Sequence, residues 1–331
     1  MDFDYLHLYV RDYLQARHWY QDRWGFALTA EHKTPASLTG LFQQGQIILL
    51  ISAPLTPQGE IAAYLDRHPP GMGEVAFQVP HWSAFCQKLA AFNLQTTPAI
   101  HPLTQEMGIT FTAWGDVKHS IFPCRPRTEQ PAPMGLTAID HVVLNLPNAD
   151  FHPASHWYQR LFDWQVQQRF TITTPHSGLY SEALLDQGGK VQFNLNRPSN
   201  PQSQIQTFLD HNRGPGIQHV ALSSADIVAT VAQLRQNSVN FLTVPPNYYG
   251  HQQQQFKAAH NIHWQALQEL GILIDSKQTD HQQFLLQIFT QPLFGQSSFF
   301  WEIIERRQRA AGFGEGNFQA LYEAVEASER G

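Results

Sequence analysis

The stretch Ile139-Asp140-His141-Val142-Val143-Leu144-Asn145-Leu146, with His156-Trp157-Tyr158-Gln159-Arg160-Leu161-Phe162-Asp163-Trp164 after it, has a counterpart near the start of the chain. There Phe3-Asp4-Tyr5-Leu6-His7-Leu8-Tyr9-Val10 is followed by His18-Trp19-Tyr20-Gln21-Asp22-Arg23-Trp24-Gly25-Phe26. Each pair reads as a short alternating strand, a turn and an amphipathic helix. β-Rich stretches come next, among them Gln46-Ile47-Ile48-Leu49-Leu50-Ile51 in the first half and Lys190-Val191-Gln192-Phe193-Asn194-Leu195-Asn196 in the second. A further strand-helix start lies in each half: Gly73 to Val79 before Trp82 to Phe92, and Gln218 to Leu222 before Ile227 to Asn237. Repetition at this scale predicts an α+β protein of four βαβββ units, two per domain. The proline-rich stretch Pro123-Cys124-Arg125-Pro126-Arg127-Thr128-Glu129-Gln130-Pro131-Ala132-Pro133 reads as a linker, dividing the chain into domains 1–132 and 133–331.

Bulk properties narrow the function. The 331 residues carry a net charge of -6 and no Lys/Arg cluster, so nucleic acid is not expected as a partner. The two cysteines, Cys86 and Cys124, supply neither a disulfide framework nor a thiolate metal site and read as small core residues. No apolar run approaches the ~18 to 20 residues needed to span a bilayer. The start, Met1-Asp2-Phe3-Asp4-Tyr5, lacks the pattern of a secretory leader. A cytoplasmic protein is expected.

Glu302 stands out within Ser298-Phe299-Phe300-Trp301-Glu302-Ile303-Ile304-Glu305-Arg306-Arg307, a segment otherwise built as a buried strand. Buried charges are paired or bind metal. Two other strand-like segments carry His141 and His219 in similar apolar company. Brought together by a sheet, the three residues would form the two-His-one-carboxylate face of a non-haem iron(II) oxygenase. The residues alone leave another reading open, in which the histidines pack in the core and Glu302 pairs with Arg306 or Arg307. The first half lacks the set: Tyr5 stands where His141 would, Glu74 where His219 would, and the place of Glu302 falls near Ile121 and Phe122. The second half is therefore expected to carry the reaction. His260 and His263, at helical i,i+3 spacing, could hold a metal but read better as a solvated helix face.

Several segments in order resemble the 4-hydroxyphenylpyruvate dioxygenase family: Ser177-Gly178-Leu179, Asn196-Arg197-Pro198, Ser203-Gln204-Ile205-Gln206-Thr207-Phe208-Leu209, Gly216-Ile217-Gln218-His219-Val220-Ala221-Leu222, Leu285-Leu286-Gln287-Ile288-Phe289-Thr290 and Gly312-Phe313-Gly314-Glu315-Gly316-Asn317-Phe318-Gln319-Ala320-Leu321. The resemblance is dense from about residue 137 onward and weak before it. It implies a pair of vicinal-oxygen-chelate domains, each a curved, partly open barrel of two βαβββ modules. It also implies Fe(II) held by His141, His219 and Glu302, and a pocket whose polar groups are Ser177, Asn196, Gln204, Gln218 and Gln287. Phe289, Phe313 and Phe318 correspond to its aromatic wall, with Asn317 beside them. The implied reaction takes 4-hydroxyphenylpyruvate and O2 to homogentisate and CO2, in a homo-oligomer. Homogentisate could feed tyrosine breakdown or quinone and tocopherol synthesis, and the sequence does not choose. The alternatives are a 4-hydroxymandelate synthase on the same scaffold and a metal-free binding protein for aromatic acids. Gly312, Gly314 and Gly316 suggest a hinge for a lid helix from Phe318 to about Ser328, capped by Asn317. Trp301 should point away from the metal by strand alternation.

Overall fold

The protein was analysed as a computed structural model, which describes all residues except 128–129, 174–176, 246, 257–261, 278–282, 319 and 321–331. Sixteen strands form one open sheet that has two matching halves. The first half contains β1 (Asp2–Tyr9), β2 (Ala27–Lys33), β3 (Ser37–Gln44), β4 (Ile47–Pro54), β5 (Gly71–Val79), β6 (Thr96–Ile100), β7 (Met107–Thr112) and β8 (Lys118–Pro123). The second contains β9 (Leu136–Asn145), β10 (Gln165–Thr173), β11 (Gly178–Leu185), β12 (Gln192–Pro198), β13 (Gly216–Ser224), β14 (Leu273–Asp275), β15 (Phe284–Phe289) and β16 (Phe300–Arg307). The first half has the order β2-β3-β4-β1-β5-β8-β7-β6, and the second β10-β11-β12-β9-β13-β16-β15-β14. In both, the opening strand of each unit pairs parallel with its closing strand, and the two opening strands pair antiparallel. This is the expected duplication of paired βαβββ units, and among the described residues neither half closes its ends. Residues 124–127 and 130–135 between the halves carry no strand or helix. We propose that the domain division falls within this stretch, at residue 132.

Strand alternation decides what each face carries. In β9, Val142 and Leu144 are fully buried in the apolar core, along with Tyr158 and Phe162 of the helix Asn148–Phe162. The alternate residues His141 and Asn145 are as deeply buried but polar. Polar groups therefore gather on one face of an otherwise apolar strand, and that face holds the site. In the first half the corresponding helix differs from the sequence reading. It spans Tyr13–His18, continues as a π-helical turn over Trp19–Arg23, and ends at Gly25, whose positive φ of 69° favours glycine.

Cys86 is half-buried but Cys124 is exposed, which corrects the reading of both as core residues. Cys124 follows the last residue of β8, where the chain leaves the sheet for the linker. The Gln-rich run lies on the helix Tyr248–Gln255, which buries Tyr248 and Tyr249 and leaves most of its glutamines exposed. His263 is exposed; its suggested partner His260 lies outside the described residues.

The halves meet where Ile217 of β13 pairs with Met72 of β5. They meet again at Trp301, which indeed turns away from Glu302. Its indole Nε1 donates to the Tyr20 hydroxyl at 2.9 Å, and its ring lies 6.0 Å from that of Trp24. Trp301→Ala should lower unfolding stability by about 3–5 kcal/mol through loss of a large buried ring. Tyr20→Phe should cost roughly 1–3 kcal/mol by leaving a buried indole N–H without an acceptor. Denaturant unfolding would measure both, and a Trp301→Ala loss below 1 kcal/mol would mean the contact does not join the halves.

Candidate active site

Three neighbouring strands place His141, Ala221 and Glu302 in one row, since Ala221 pairs with His141 on one side and with Glu302 on the other. Ala221 has no side chain beyond Cβ, so the imidazole and the carboxylate can reach across it. His219, two residues earlier on β13, projects from the same face. The ligand atoms of the three residues lie within 4.8 Å of one another, and all three residues are buried. His141 Nε2 is 3.3 Å and His219 Nε2 3.5 Å from Glu302 Oε2.

A buried support fixes this arrangement. Asp140 Oδ1 accepts from His141 Nδ1 at 2.9 Å, which leaves Nε2 facing Glu302. Arg306 grips the Asp140 carboxylate with two N–H groups, Nε at 2.8 Å and Nη2 at 2.7 Å. Its Nη1 donates to the carbonyls of Ala310 and Gly312. Arg306 thus pairs with Asp140, and Arg307 pairs with Glu305. Neither arginine bonds Glu302 directly, and Arg306 acts on it only through space, so Glu302 is not one half of a terminal ion pair.

The electrostatics follow from burial. Burial pushes Glu302 above the usual carboxylate range. It also holds His219 well below the usual histidine range, helped by the neighbouring His141. Burial opposes charge on His141 too, but Glu302 and Asp140 outweigh it and raise that ring to about 9. Asp140 is the reverse case: burial would raise it, and Arg306 holds it far below the ordinary range. Glu302 Oε1 and His219 Nδ1 are buried without a hydrogen-bond partner among the described residues. An orphaned carboxylate oxygen beside two imidazole nitrogens is a donor set that fits a divalent cation.

The expected pocket residues fall into two groups around the three. Asn196, Gln204, Gln218 and Phe318 line a cavity that reaches His219. Ser177 stands behind it, its hydroxyl accepting from the Gln204 backbone N–H at 3.0 Å. Phe289 pairs with Glu302 across the sheet and meets His219 edge-on at 6.3 Å. Phe313 meets His141 edge-on at 6.0 Å. Phe289, Phe313, Gln287 and Asn317 lie outside the cavity lining: Asn317 Nδ2 donates to Gln287 Oε1 at 3.3 Å and its Oδ1 accepts from the Tyr248 hydroxyl at 2.5 Å. Gly314 makes this packing possible, because a Cβ there would sit 1.5 Å from Gln287 Oε1. Nearly all of the expected lid helix lies outside the described residues.

Known proteins show the same framework. Residues 138–288 match the model of the Glyoxalase/Bleomycin resistance protein/Dioxygenase superfamily. A 4-hydroxyphenylpyruvate dioxygenase of Legionella pneumophila is 36% identical over 92% of this chain and 88% of its own length. One of Dictyostelium discoideum is 31% identical over 99% and 98%. The chain belongs to the 4-hydroxyphenylpyruvate dioxygenase family. An uncharacterized protein of Synechocystis sp. is 54% identical over all of this chain and 98% of its own length. A mutant of 4-hydroxymandelate synthase from Streptomyces coelicolor superposes with a TM-score of 0.85 at 28% identity, covering 99% of this chain and 98% of its own. The sheet and its open halves are those of the vicinal oxygen chelate fold to which the family belongs.

Several residues of this family member's site escaped the sequence reading. Phe300 stacks on His219 at 4.8 Å with planes 16° apart, and Leu242, Pro292, Ser297 and Ser298 complete the cavity. Strand parity could have found Phe300, which stands two residues before Glu302 and so on its face. Asp140 is the immediate neighbour of His141, and its partner Arg306 entered the sequence reading only as an alternative partner for Glu302.

Since metal binding requires a neutral His141, it should release about one proton. Apparent affinity should rise by up to about tenfold per pH unit below about 9 and level off above it. Calorimetric titration with a divalent metal, in buffers of different ionisation enthalpy, measures this release; heats independent of buffer would contradict it. Asp140→Asn should weaken metal affinity by roughly 10–100-fold while leaving the fold intact.

Proposed function

We propose that the protein is an Fe(II)-dependent dioxygenase that converts 4-hydroxyphenylpyruvate and O2 to homogentisate and CO2, with His141, His219 and Glu302 as the metal ligands. The observation that carries this reading is the buried Glu302 carboxylate, which faces two imidazoles and keeps one oxygen without a hydrogen-bond partner among the described residues. A cation bound there would satisfy the orphaned oxygen, and a set of only three protein ligands leaves positions open for a chelating 2-oxo acid. Iron would supply the redox chemistry with O2.

The chain's own groups do the rest. Asp140 and Arg306 hold the His141 ring so that Nε2 is the free donor. Phe300 stacks on His219 and offers an apolar wall to an aromatic ring, with Phe289 against the other side of His219, while Asn196, Gln204 and Gln218 offer amides to a phenol. The cavity is narrow, with about 50 Å³ open, so an aromatic acid enters only if a wall moves. Phe318 is that wall, and the positive φ values of Gly312 and Gly314 lie immediately before it. Closing it again over substrate would exclude water.

Names of full-length relatives at 31–36% identity support the homogentisate-forming reaction. The structural likeness to a 4-hydroxymandelate synthase supports a second reading, in which the same substrate is hydroxylated at the benzylic carbon. The position of Phe289 beside Glu302 and His219 favours the first, because a ring held against it governs which carbon faces the metal. Anaerobic loading with Fe(II), followed by 4-hydroxyphenylpyruvate and O2 and chromatography of products, decides between them. Homogentisate with matched CO2 is the expected result, and 4-hydroxymandelate would transfer the assignment to the synthase. Glu302→Ala and His219→Ala should each lose bound iron and turnover together; full activity in either would remove the proposed ligand set.

A further inference from the structure

The first half keeps a cavity where the second half has its own. Sheet register makes the halves superposable position by position. Ser37, Ser52, Glu74 and Lys118 stand where the second half has Leu179, Asn196, His219 and Phe300. By the same register the equivalent of Glu302 is Ser120, one residue before the Ile121 and Phe122 expected from sequence. The result is a cavity of about 290 Å³, walled by the rings of Tyr5 and Tyr9, by polar groups and by the apolar side chains of Ala36, Ile61 and Ala99.

Its hydrogen bonds run in one direction. The Tyr5 hydroxyl donates to Glu74 Oε1 at 2.7 Å, and His7 Nδ1 faces Glu74 Oε2 at 3.0 Å. An ionised carboxylate only accepts, so Nδ1 carries the proton and, in the neutral ring, Nε2 accepts. That nitrogen lies 2.7 Å from Ser52 Oγ, which in turn lies 2.6 Å from Thr39 Oγ1. The Ser120 hydroxyl also bonds Glu74. Burial would raise Glu74, but His7, Ser120 and Tyr5 outweigh it and hold the carboxyl below its usual range. With these protons drawn toward Glu74, the hydroxyls of Tyr5 and Thr39 have only lone pairs left for the cavity. At the mouth, Lys118 pairs with Glu60 rather than with Glu74, which faces the His7 ring instead. Thr110 Oγ1, on the same wall, is buried without a partner among the described residues.

Two other uses of the cluster fail on geometry. Glu74 already serves three donors, so it is a poor metal ligand. Glu74, His7 and Ser52 are spaced as a nucleophile with its base and orienting acid, but Ser52 is fully buried and lies mid-strand between β1 and β3, both of which pair with it. No backbone N–H is left there to stabilise an oxyanion.

We propose that this cavity binds a small organic ammonium ion, whose donor-only head meets the acceptor wall of Tyr5 and Thr39 near Glu74 and whose carbon skeleton lies against the rings of Tyr5 and Tyr9. An ammonium offers three N–H donors and no acceptor, which matches this wall, and its charge offsets the buried carboxylate. Anions are disfavoured by Glu74, so the proposed 2-oxo acid substrate does not compete. The inference is independent of the reaction proposed for the second half.

Saturation-transfer NMR on the full-length protein would test this with three ligands of one size: n-propylammonium, 1-propanol and propionate. Propylammonium should bind at least about tenfold more tightly than propanol, and propionate not at all. Glu74→Gln should erase the preference, Thr39→Val should weaken it several-fold, and Glu302→Ala should leave it unchanged. Equal binding of propanol and propylammonium would overturn the proposal, as would a preference that survives both first-half substitutions or is lost in Glu302→Ala. L-Alanine distinguishes two sources of the same head group. Tighter binding than propylammonium would identify a zwitterion with its carboxylate at Lys118, and weaker binding a simple amine; each outcome upholds the ammonium site.

Discussion

The structure of the second half turns on a carboxylate buried with one oxygen unpartnered among the described residues. Removing an ionised acid from water costs several kcal/mol unless something replaces the lost solvation. Glu302 has two imidazoles nearby, one neutral by burial and one able to carry a proton. Arg306 could have supplied the charge but is turned to Asp140, where its fork is bidentate and its remaining N–H groups tie down the following turn. The arginine is therefore spent on orienting a ligand, and Glu302 is left poised for a cation. Phe289, Phe300 and Phe313 keep water from making up the deficit.

Duplication explains how such a site can exist within an ordinary sheet. Both halves hold the same strand order and the same register, and both point polar groups toward the same concavity. Only the identities differ. With Tyr5, Glu74 and Ser120 the first half satisfies its acid internally through hydroxyls and His7. With His141, His219 and Glu302 the second half does not. One scaffold thus carries an acid whose two oxygens are both hydrogen-bonded and an acid with one oxygen left open among the described residues.

Much of the fold was legible because the repeat is written in two periods, alternation in the strands and amphipathic spacing in the helices. The three converging residues were legible because polar groups at deeply apolar strand positions are costly and so conspicuous. Register was harder to read. Bulges at Ile217/His219 in β13 and between Phe3 and Leu6 in β1 shift pairing by steps that no single-strand pattern shows. The counterpart of Glu302 was misplaced by one residue because the chain between the paired strands is far longer in the second half, from Ser224 to Phe300, than in the first, from Val79 to Lys118. Phe300 and the Asp140–Arg306 pair were missed for a related reason: their roles depend on which strands are neighbours. Cys124 was misjudged because a cysteine's burial depends on whether the strand continues past it.

Trp301 couples the two halves through β16. The strand that presents Glu302 on one face presents this indole on the other, and the indole is held by Tyr20 and Trp24 of the first half. The position of the carboxylate is thereby set from behind by a half that contributes none of the three converging side chains. Sequence drift in the early helical turn around Tyr20 would be felt as a tilt of β16. The half that carries none of the three residues is thus the backstop of the half that carries them, which gives selection a reason to retain it.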